Sequence, residues 1–189
     1  MARQVRVALA RIADLGAAAF AAARKNLGPR DRRRLAALSS ARRRREFLAG
    51  RWLLGHSSRA MRTRVPLRFD ASPHGGVEAS ARHIAASVSH SRGWVACALL
   101  ERGAVGVDLE PMVPRDFTAA GQWAFGIPTD SPRDFYGRWT RYEARLKARR
   151  EADASYWDRT YFLGRIALSI CAPRGAAVRQ LRRLAAIRR

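Results

Sequence analysis

Residues 106–110 read Gly-Val-Asp-Leu-Glu and predict a short strand, and residues 139–147 read Trp-Thr-Arg-Tyr-Glu-Ala-Arg-Leu-Lys and predict a helix. Side chains two positions apart on a strand point the same way, so Asp108 and Glu110 share one face. Residues four apart on a helix lie on one face, which places Glu143 beside Lys147. If the helix packs on the strand, three carboxylates and one ammonium converge, a combination typical of a Mg²⁺ and phosphate site.

The basic residues of the chain are almost all arginine, and Lys25 and Lys147 are the two exceptions. A lysine kept one helical turn after a glutamate indicates a site that needs a compact ammonium rather than a planar guanidinium. The formal net charge is +22 over 189 residues. Such a field attracts nucleic acid, anionic membranes, phosphorylated small molecules and acidic proteins alike, so the charge by itself selects no partner.

Several function classes lack their motifs in this chain. There is no Gly-x-Ser-x-Gly, no Gly-x-x-x-x-Gly-Lys and no Cys-x-x-Cys, the motifs of serine hydrolases, P-loop enzymes and zinc ribbons. Cys97 and Cys171 lie in apolar, strand-like runs, which predicts free thiols and reduced, cytoplasmic residence. No apolar stretch approaches the roughly 20 residues that span a membrane, and Arg11 and Asp14 interrupt the Ala-rich start, which argues against export.

The periodicity of apolar residues predicts an α+β chain. Each half shows a helix followed by apolar strands, which permits two pseudo-duplicated halves, residues 1–102 and residues 103–189. In the first half, the sequence predicts an opening strand through Val5, Val7 and Leu9, a helix over 14–25, an Arg-rich helix over 31–55, a loop over 70–76, and strands over 84–91 and 94–100. A further strand over 105–110 is predicted to form a hairpin with 94–100 through Arg102-Gly103. The rest of the second half is predicted to contain a loop-like region over 111–132, a helix over 135–152, a strand or hairpin over 161–171, and a basic amphipathic helix over 176–189.

Each candidate motif has an alternative interpretation when it is taken alone. Asp108 and Glu110 also fit a solvated strand end, and Glu143 with Lys147 also fits an ordinary surface pair worth a few tenths of a kcal/mol. The segment Ser-His-Ser at 89–91 suits either phosphate oxygens or the cap of a turn. The arginines between residues 30 and 51 suit either a phosphate cradle or a solvated helix face.

Taken together, the motifs resemble those of the 4′-phosphopantetheinyl transferases, specifically the broad-specificity type that activates surfactin synthetase. That family carries a basic F-x-A-G-R helix, an S-H-S segment, a G-[IV]-D-[IVL]-E strand and a W-[ST]-x-[KR]-E-A-x-x-K helix, in this order. The resemblance covers residues from about 30 to 150. The matching segments here are Phe47-Leu48-Ala49-Gly50-Arg51, Ser89-His90-Ser91, Gly106-Val107-Asp108-Leu109-Glu110 and Trp139-Thr140-Arg141-Tyr142-Glu143-Ala144-Arg145-Leu146-Lys147.

Two positions depart from the family pattern. The residue before the glutamate is usually basic in the family and here is Tyr142. The family's G-[KR]-P loop would fall near Ser72-Pro73-His74-Gly75 and lacks its lysine or arginine. Both departures remove contacts to phosphate, so they bear on the affinity for coenzyme A more than on the metal site.

The resemblance implies an α+β fold of two pseudo-duplicated halves with the active site between them. It implies a transfer of the 4′-phosphopantetheine group from coenzyme A to a carrier-protein serine, with release of 3′,5′-ADP. The first half would supply cofactor contacts and the second half the metal and catalytic residues. The implied roles are metal binding for Asp108, Glu110 and Glu143, catalysis for Glu143 and Lys147, and cofactor contacts for Arg42, Arg51, Ser89, His90 and Lys147.

The implied cofactor is Mg²⁺, with coenzyme A as co-substrate, and the implied partner is an acidic acyl or peptidyl carrier protein. We expect a monomer that binds neither nucleic acid nor membrane. The carrier pathway, whether fatty-acid, polyketide or peptide synthesis, stays open. Two alternatives remain: a degenerate homologue that binds carrier protein without turnover, and a basic nucleic-acid-binding module.

Overall fold

The computed structural model describes residues 3–61, 63, 65–73 and 75–184, and for the stretch 180–183 it describes the backbone. These residues form a mixed α+β fold, as the sequence predicts. The elements run in chain order as β1 (Arg3–Arg11), a 3₁₀ turn (Ile12–Asp14), α1 (Ala17–Lys25), α2 (Pro29–Ala37), α3 (Ala41–Ser58), β2 (Phe69–Ala71), β3 (Val77–Ala79), β4 (Ile84–Ser91), β5 (Trp94–Glu101), β6 (Gly106–Pro111), α4 (Phe117–Phe125), α5 (Pro132–Ala148), β7 (Tyr156–Leu163), β8 (Ile166–Pro173) and β9 (Ala176–Leu184).

Two sheets organise the chain. A four-stranded sheet has the order β4-β5-β1-β9, and a three-stranded sheet has the order β6-β8-β7. Neighbouring strands are antiparallel except for β1 and β9, which run parallel. The short strands β2 and β3 form a separate ribbon.

The main core lies between the two sheets. Leu9 of β1 packs there with Leu109 of β6 and Leu168 of β8, and all three are buried. On the outer face of the four-stranded sheet, α3 buries Leu53 against β5, and on the outer face of the three-stranded sheet, α5 buries Ala144. The fold therefore has four layers, helix, sheet, sheet and helix, in which each element buries its apolar face.

Several predicted elements are confirmed. The opening strand corresponds to β1, the predicted helix over 135–152 to α5, and the strand or hairpin over 161–171 to the paired strands β7 and β8. The glycine that interrupts that segment, Gly164, lies in the hairpin turn with a φ of 62°. Such a left-handed conformation favours glycine, which explains why the strand pattern breaks there.

The predicted hairpin between 94–100 and 105–110 is wrong. Strand β5 pairs with β4 and β1, whereas β6 pairs with β8 in the other sheet. The hairpin turn is instead Arg92-Gly93, between β4 and β5, where both residues have positive φ angles of 45° and 81°. This pair suits the two-residue turns that match strand twist. At Arg102-Gly103 the chain passes from one sheet to the other.

Two predicted helices are also corrected. Residues 176–184 form strand β9 rather than a helix, because β1 offers them a parallel edge; residues 185–189 of that predicted helix lie outside the described residues. The Arg-rich segment forms two helices, α2 and α3, because the chain breaks at residues 38–40. There the Ser40 hydroxyl accepts a hydrogen bond from the Arg43 backbone N–H at 3.5 Å and caps α3. The loop-like region 111–132 contains one short helix, α4.

Helix α5 lies unusually close to strand β6. Gly106, Asp108 and Glu110 share the face of β6 that α5 covers. A Cβ atom built on Gly106 would lie 1.8 Å from the Ala144 carbonyl oxygen and 2.8 Å from the Ala148 backbone nitrogen. Only glycine fits at this position, and its missing side chain brings the helix onto the strand beside Asp108.

The two cysteines are free and buried, as predicted. Burial raises the pKa of the Cys97 thiol to about 12, so this group behaves as a small apolar side chain. Within the part of the chain that the structure describes, no helix combines the length and the apolar character needed to cross a membrane.

Candidate active site

Asp108 is the most enclosed carboxylate of the predicted site, with 4% of its surface exposed. Its Oδ1 atom accepts hydrogen bonds from the Lys147 ammonium at 2.6 Å and from the Ser89 hydroxyl at 2.8 Å. Its Oδ2 atom is buried and has no hydrogen-bond partner among the described residues. A buried carboxylate oxygen without a partner is costly, so Oδ2 marks a place for a further cation or donor.

Glu110 lies two residues further along β6 and is half-buried. Its Oε2 atom accepts a hydrogen bond from the Ser91 hydroxyl at 2.6 Å. Burial raises the pKa of Glu110, and the negative charge of Asp108 raises it further, while Ser91 and Lys147 act in the opposite direction. The carboxylate therefore gains from any additional positive charge nearby.

Glu143 lies on α5, within electrostatic range of Asp108. Burial raises the pKa of Glu143, the charge of Asp108 raises it as well, and Lys147 lowers it. The charge of Asp108 raises the pKa of both glutamates, so each of them lies within electrostatic range of Asp108. Lys147 lies one helical turn after Glu143 and is the positive charge at the centre of the group.

The buried Oδ2 of Asp108, unpartnered within the described part of the chain, is the atom of this group that suits a magnesium ion. Among the residues described, no three His, Cys, Asp or Glu side chains are already arranged as a metal cage. Mg²⁺ does not require one, because it commonly takes one or two carboxylates and completes its shell with water and substrate phosphate. A divalent cation would partner the buried Oδ2 of Asp108 and relieve the repulsion that raises the pKa values of Glu110 and Glu143.

A cleft of about 510 Å³ opens beside this cluster. Its walls come from α2, α3, the β2–β3 ribbon, β4 and the C-terminal end of α5. Arg34, Arg51, His90, Lys147 and Arg149 contribute the basic side chains of its lining. The volume and the basic lining suit an anionic ligand of substantial size.

His90 and Arg51, two predicted cofactor contacts, lie in the lining of this cleft. The His90 imidazole is half-exposed, with Nδ1 3.5 Å from Glu46 Oε2. Burial lowers the pKa of His90, and Lys147 and Arg34 lower it too, while Glu46 raises it. The Arg51 guanidinium of α3 donates two hydrogen bonds, of 2.5 Å and 2.7 Å, to the fully buried carboxylate of Asp31 in α2. These bonds join the two helices and use much of the hydrogen-bonding capacity of Arg51.

Ser89 and Arg42, the other two predicted contacts, lie outside the lining. The Ser89 hydroxyl is buried; it donates to Asp108 and accepts from the Leu109 backbone N–H at 3.3 Å. The Arg42 side chain is 73% exposed and pairs with Glu46 at 3.3 Å. The structure therefore brings Ser89 to the carboxylates instead of the cleft.

Sequence analysis missed four residues of this region. Arg34 and Arg149 line the cleft, but an arginine-rich stretch does not reveal which guanidiniums turn inward. Ser91 contacts Glu110, and the signal for this contact was the alternation of Ser87, Ser89 and Ser91 along one strand. Gly106 opens the strand motif, and its position at the start of an otherwise apolar and acidic strand was the signal for a close approach.

Of the two departures from the family pattern, Tyr142 is exposed and the loop near residues 72–75 borders the cleft. Tyr142, at the position that is usually basic, is 51% exposed, with its ring centroid 6.4 Å from that of Trp139. His74, in the loop that lacks a basic residue, lies outside the described residues. The neighbouring Gly75 and Gly76 line the cleft, so that loop does face it.

Comparison with known proteins adds no relative. The chain matches no protein-family model, and no curated protein matches it. Function therefore has to be inferred from the four motifs and from the geometry of the site.

Proposed function

We propose that this chain is a Mg²⁺-dependent 4′-phosphopantetheinyl transferase. It would move the 4′-phosphopantetheine group of coenzyme A onto a serine of an acyl or peptidyl carrier protein and release 3′,5′-ADP. The observation that carries the proposal is the position of Lys147, which bonds Asp108 and also lines the basic cleft. One residue thus joins the carboxylate cluster to a space for a large anionic ligand.

The cleft supports coenzyme A as the donor substrate. Coenzyme A is long and carries several phosphate charges, which suits a basic cleft of about 510 Å³. Arg34 and Arg149 are the candidates for phosphate contacts at its walls, together with His90. Arg34 and Arg149 supply positive charge in the cleft that the loop lacking the family's basic residue also lines, so they can compensate for it.

The chemistry follows from the roles of four side chains. The serine hydroxyl of the carrier attacks the phosphorus that bears pantetheine, and the bond from that phosphorus to the 3′,5′-ADP oxygen breaks. Glu143 would accept the serine proton as the general base. Lys147 would place its ammonium on the phosphate oxygens as charge moves to the leaving group. Magnesium held by Asp108, Glu110 and Glu143 would supply charge neutralisation at the phosphoanhydride.

The topology supports two pseudo-duplicated halves. In the larger sheet, three neighbouring strands lie side by side in the order β4-β5-β1. In the smaller sheet, the three strands lie side by side in the order β7-β8-β6. In each set the first strand in the chain is followed by helices and then by an antiparallel hairpin; α1–α3 and the β2–β3 ribbon intervene in the first set, and α4 and α5 in the second. We infer that β1-α3-β4-β5 and β6-α5-β7-β8 are equivalent units. The carboxylates come from the second unit, and His90 comes from the first.

A basic surface supports an acidic carrier as the acceptor. Helices α2 and α3 expose the guanidinium-bearing residues Arg32, Arg33, Arg43, Arg44 and Arg45. Such a surface steers an acidic protein toward the cleft beside it. A monomer suffices, because both units of the site come from one chain.

The test is mass spectrometry of apo acyl carrier protein incubated with this protein, coenzyme A and Mg²⁺. A gain of about 340 Da, one phosphopantetheine group, is the expected result. Glu143→Gln should abolish it, and Glu151→Gln, which changes an exposed glutamate beyond the end of α5, should not.

Two results would redirect the proposal. No gain on several unrelated carriers, with coenzyme A still bound, would favour a degenerate homologue without turnover. No gain and no coenzyme A binding would favour the nucleic-acid alternative. A gain that persists in Glu143→Gln would keep the reaction and remove the proposed role of that residue.

A further inference from the structure

Three serines of β4 face strand β6 across the junction of the two sheets. Ser87, Ser89 and Ser91 alternate along β4, so their side chains point the same way. The Ser87 hydroxyl accepts a hydrogen bond from the Val107 backbone N–H at 3.1 Å, and the Ser89 hydroxyl accepts one from the Leu109 N–H at 3.3 Å. Strand β6 pairs with β8 on its other edge, so these hydroxyls satisfy its free edge.

Two of these serines also hold the carboxylates of β6. A serine hydroxyl has one proton to donate besides the lone pairs that accept. Ser89 donates to Asp108 Oδ1 at 2.8 Å, and Ser91 donates to Glu110 Oε2 at 2.6 Å. Each bond takes one oxygen of its carboxylate. The other oxygen of Asp108, Oδ2, is buried and has no hydrogen-bond partner in the described part of the chain. The Ser91 bond leaves the other oxygen of Glu110, Oε1, outside this contact.

We propose that Ser89 and Ser91 are positioning residues, which fix one oxygen of each carboxylate so that the other is presented to a divalent cation. The inference rests on the proposed function for the identity of the cation, Mg²⁺. Partners that orient metal ligands in other proteins typically change metal affinity about 10–100-fold when they are removed. The serines would thus act through Asp108 and Glu110 without touching the substrate.

The third serine provides a matched control. Ser87 belongs to the same strand and accepts a hydrogen bond from the β6 backbone as Ser89 does, but no carboxylate contact is observed for its hydroxyl among the described residues. If the serines only join the sheets, Ser87→Ala and Ser91→Ala should have equal effects on metal affinity. If Ser91 positions Glu110, only Ser91→Ala should weaken it.

The experiment is a Mn²⁺ titration of the full chain, followed by electron paramagnetic resonance, with no coenzyme A present. Mn²⁺ suits oxygen ligands as Mg²⁺ does, and the signal of the free ion gives the affinity without any reaction. We expect Ser91→Ala to weaken Mn²⁺ binding about 10-fold. Ser91→Thr keeps the hydroxyl in a residue that suits strands, so its affinity should approach that of the unmodified chain.

Three results would overturn the inference: unchanged affinity in Ser91→Ala, equal losses in Ser87→Ala and Ser91→Ala, or no Mn²⁺ binding by the unmodified chain. Thermal unfolding of each variant shows whether it is folded. If Ser91→Ala does not fold, Ser91→Thr still tests the contribution of the hydroxyl to Mn²⁺ affinity. The proposed function is judged separately by mass spectrometry. If Mn²⁺ binding depends on these serines but the chain modifies no carrier protein, this inference stands and the proposed transferase function is refuted.

Discussion

Gly106→Ala should push α5 away from β6 and separate the two parts of the site. The added Cβ would lie 1.8 Å from the Ala144 carbonyl oxygen, whereas real Cβ contacts are essentially never shorter than 3.0 Å. The obstruction is helix backbone, so no side-chain rotation relieves it. A retreat of more than 1 Å would take the Lys147–Asp108 contact from 2.6 Å to beyond hydrogen-bond range.

The expected losses follow from that displacement. Overpacking costs about 1–3 kcal/mol, and a backbone clash belongs at the upper end, about 3 kcal/mol of the free energy of unfolding. For a chain of this length, that corresponds to a Tm lower by about 6–12 °C. A misplacement of about 1 Å between catalytic groups can reduce the rate about 100-fold. Differential scanning calorimetry and the carrier-protein assay measure the two effects.

Gly55→Ala is the matched control. Gly55 lies in α3, and no atom stands within 4 Å of the position that its Cβ would occupy. Alanine in place of a helical glycine should stabilise the protein by about 0.5–1 kcal/mol without reducing activity. If Gly106→Ala matches the unmodified chain in Tm and in rate, the close approach of α5 to β6 is not what positions the site.

Three further outcomes are expected. Raising the salt concentration should increase the KM for an acidic carrier protein by screening the basic surface, and a KM that does not change with salt would exclude steering by charge. Lys147→Met should abolish transfer. In the absence of coenzyme A it should strengthen Mn²⁺ binding, because no ammonium then competes with the ion for Asp108. Mn²⁺ binding that is equal or weaker would contradict this competition. Glu110→Gln should raise the Tm at pH 7, because burial raises the pKa of Glu110 and penalises its charged form. The gain should vanish near pH 4, where the carboxyl is protonated in the folded protein, and a gain of equal size at both pH values would refute the desolvation argument.

The sequence correctly predicted those helices and strands whose residue pattern depends only on neighbouring positions. The alternation in β1 and the four-residue spacing of Glu143 and Lys147 on α5 identified both elements from neighbouring residues alone. The sequence also predicted that Asp108 and Glu110 on one strand face meet the helix face of Glu143 and Lys147, and the structure shows the Lys147–Asp108 contact of that pair of faces. These features need no knowledge of distant parts of the chain.

Long-range pairing explains the wrong predictions. Leu181 and Leu184 are three residues apart, which fits a helix, yet this segment pairs with β1 at the opposite end of the sequence. Arg102-Gly103 has the composition of a hairpin turn, but β6 finds its partner, β8, far along the chain. The role of Ser89 was missed for the same reason, since its contact with Asp108 depends on how the two sheets meet.

The parallel pairing of β1 with β9 has a consequence for biosynthesis. A ribosome makes β1 before the other described strands and β9 after them, so one edge of β1 stays unpaired until β9 has been made. That edge belongs to a strand with the buried apolar residues Val5, Val7 and Leu9, and an open apolar edge invites pairing with other chains. Late closure of so distant a contact also slows folding. Production of this protein should therefore be sensitive to chaperone supply and temperature, and removal of Ala176–Leu184 should lead to aggregation.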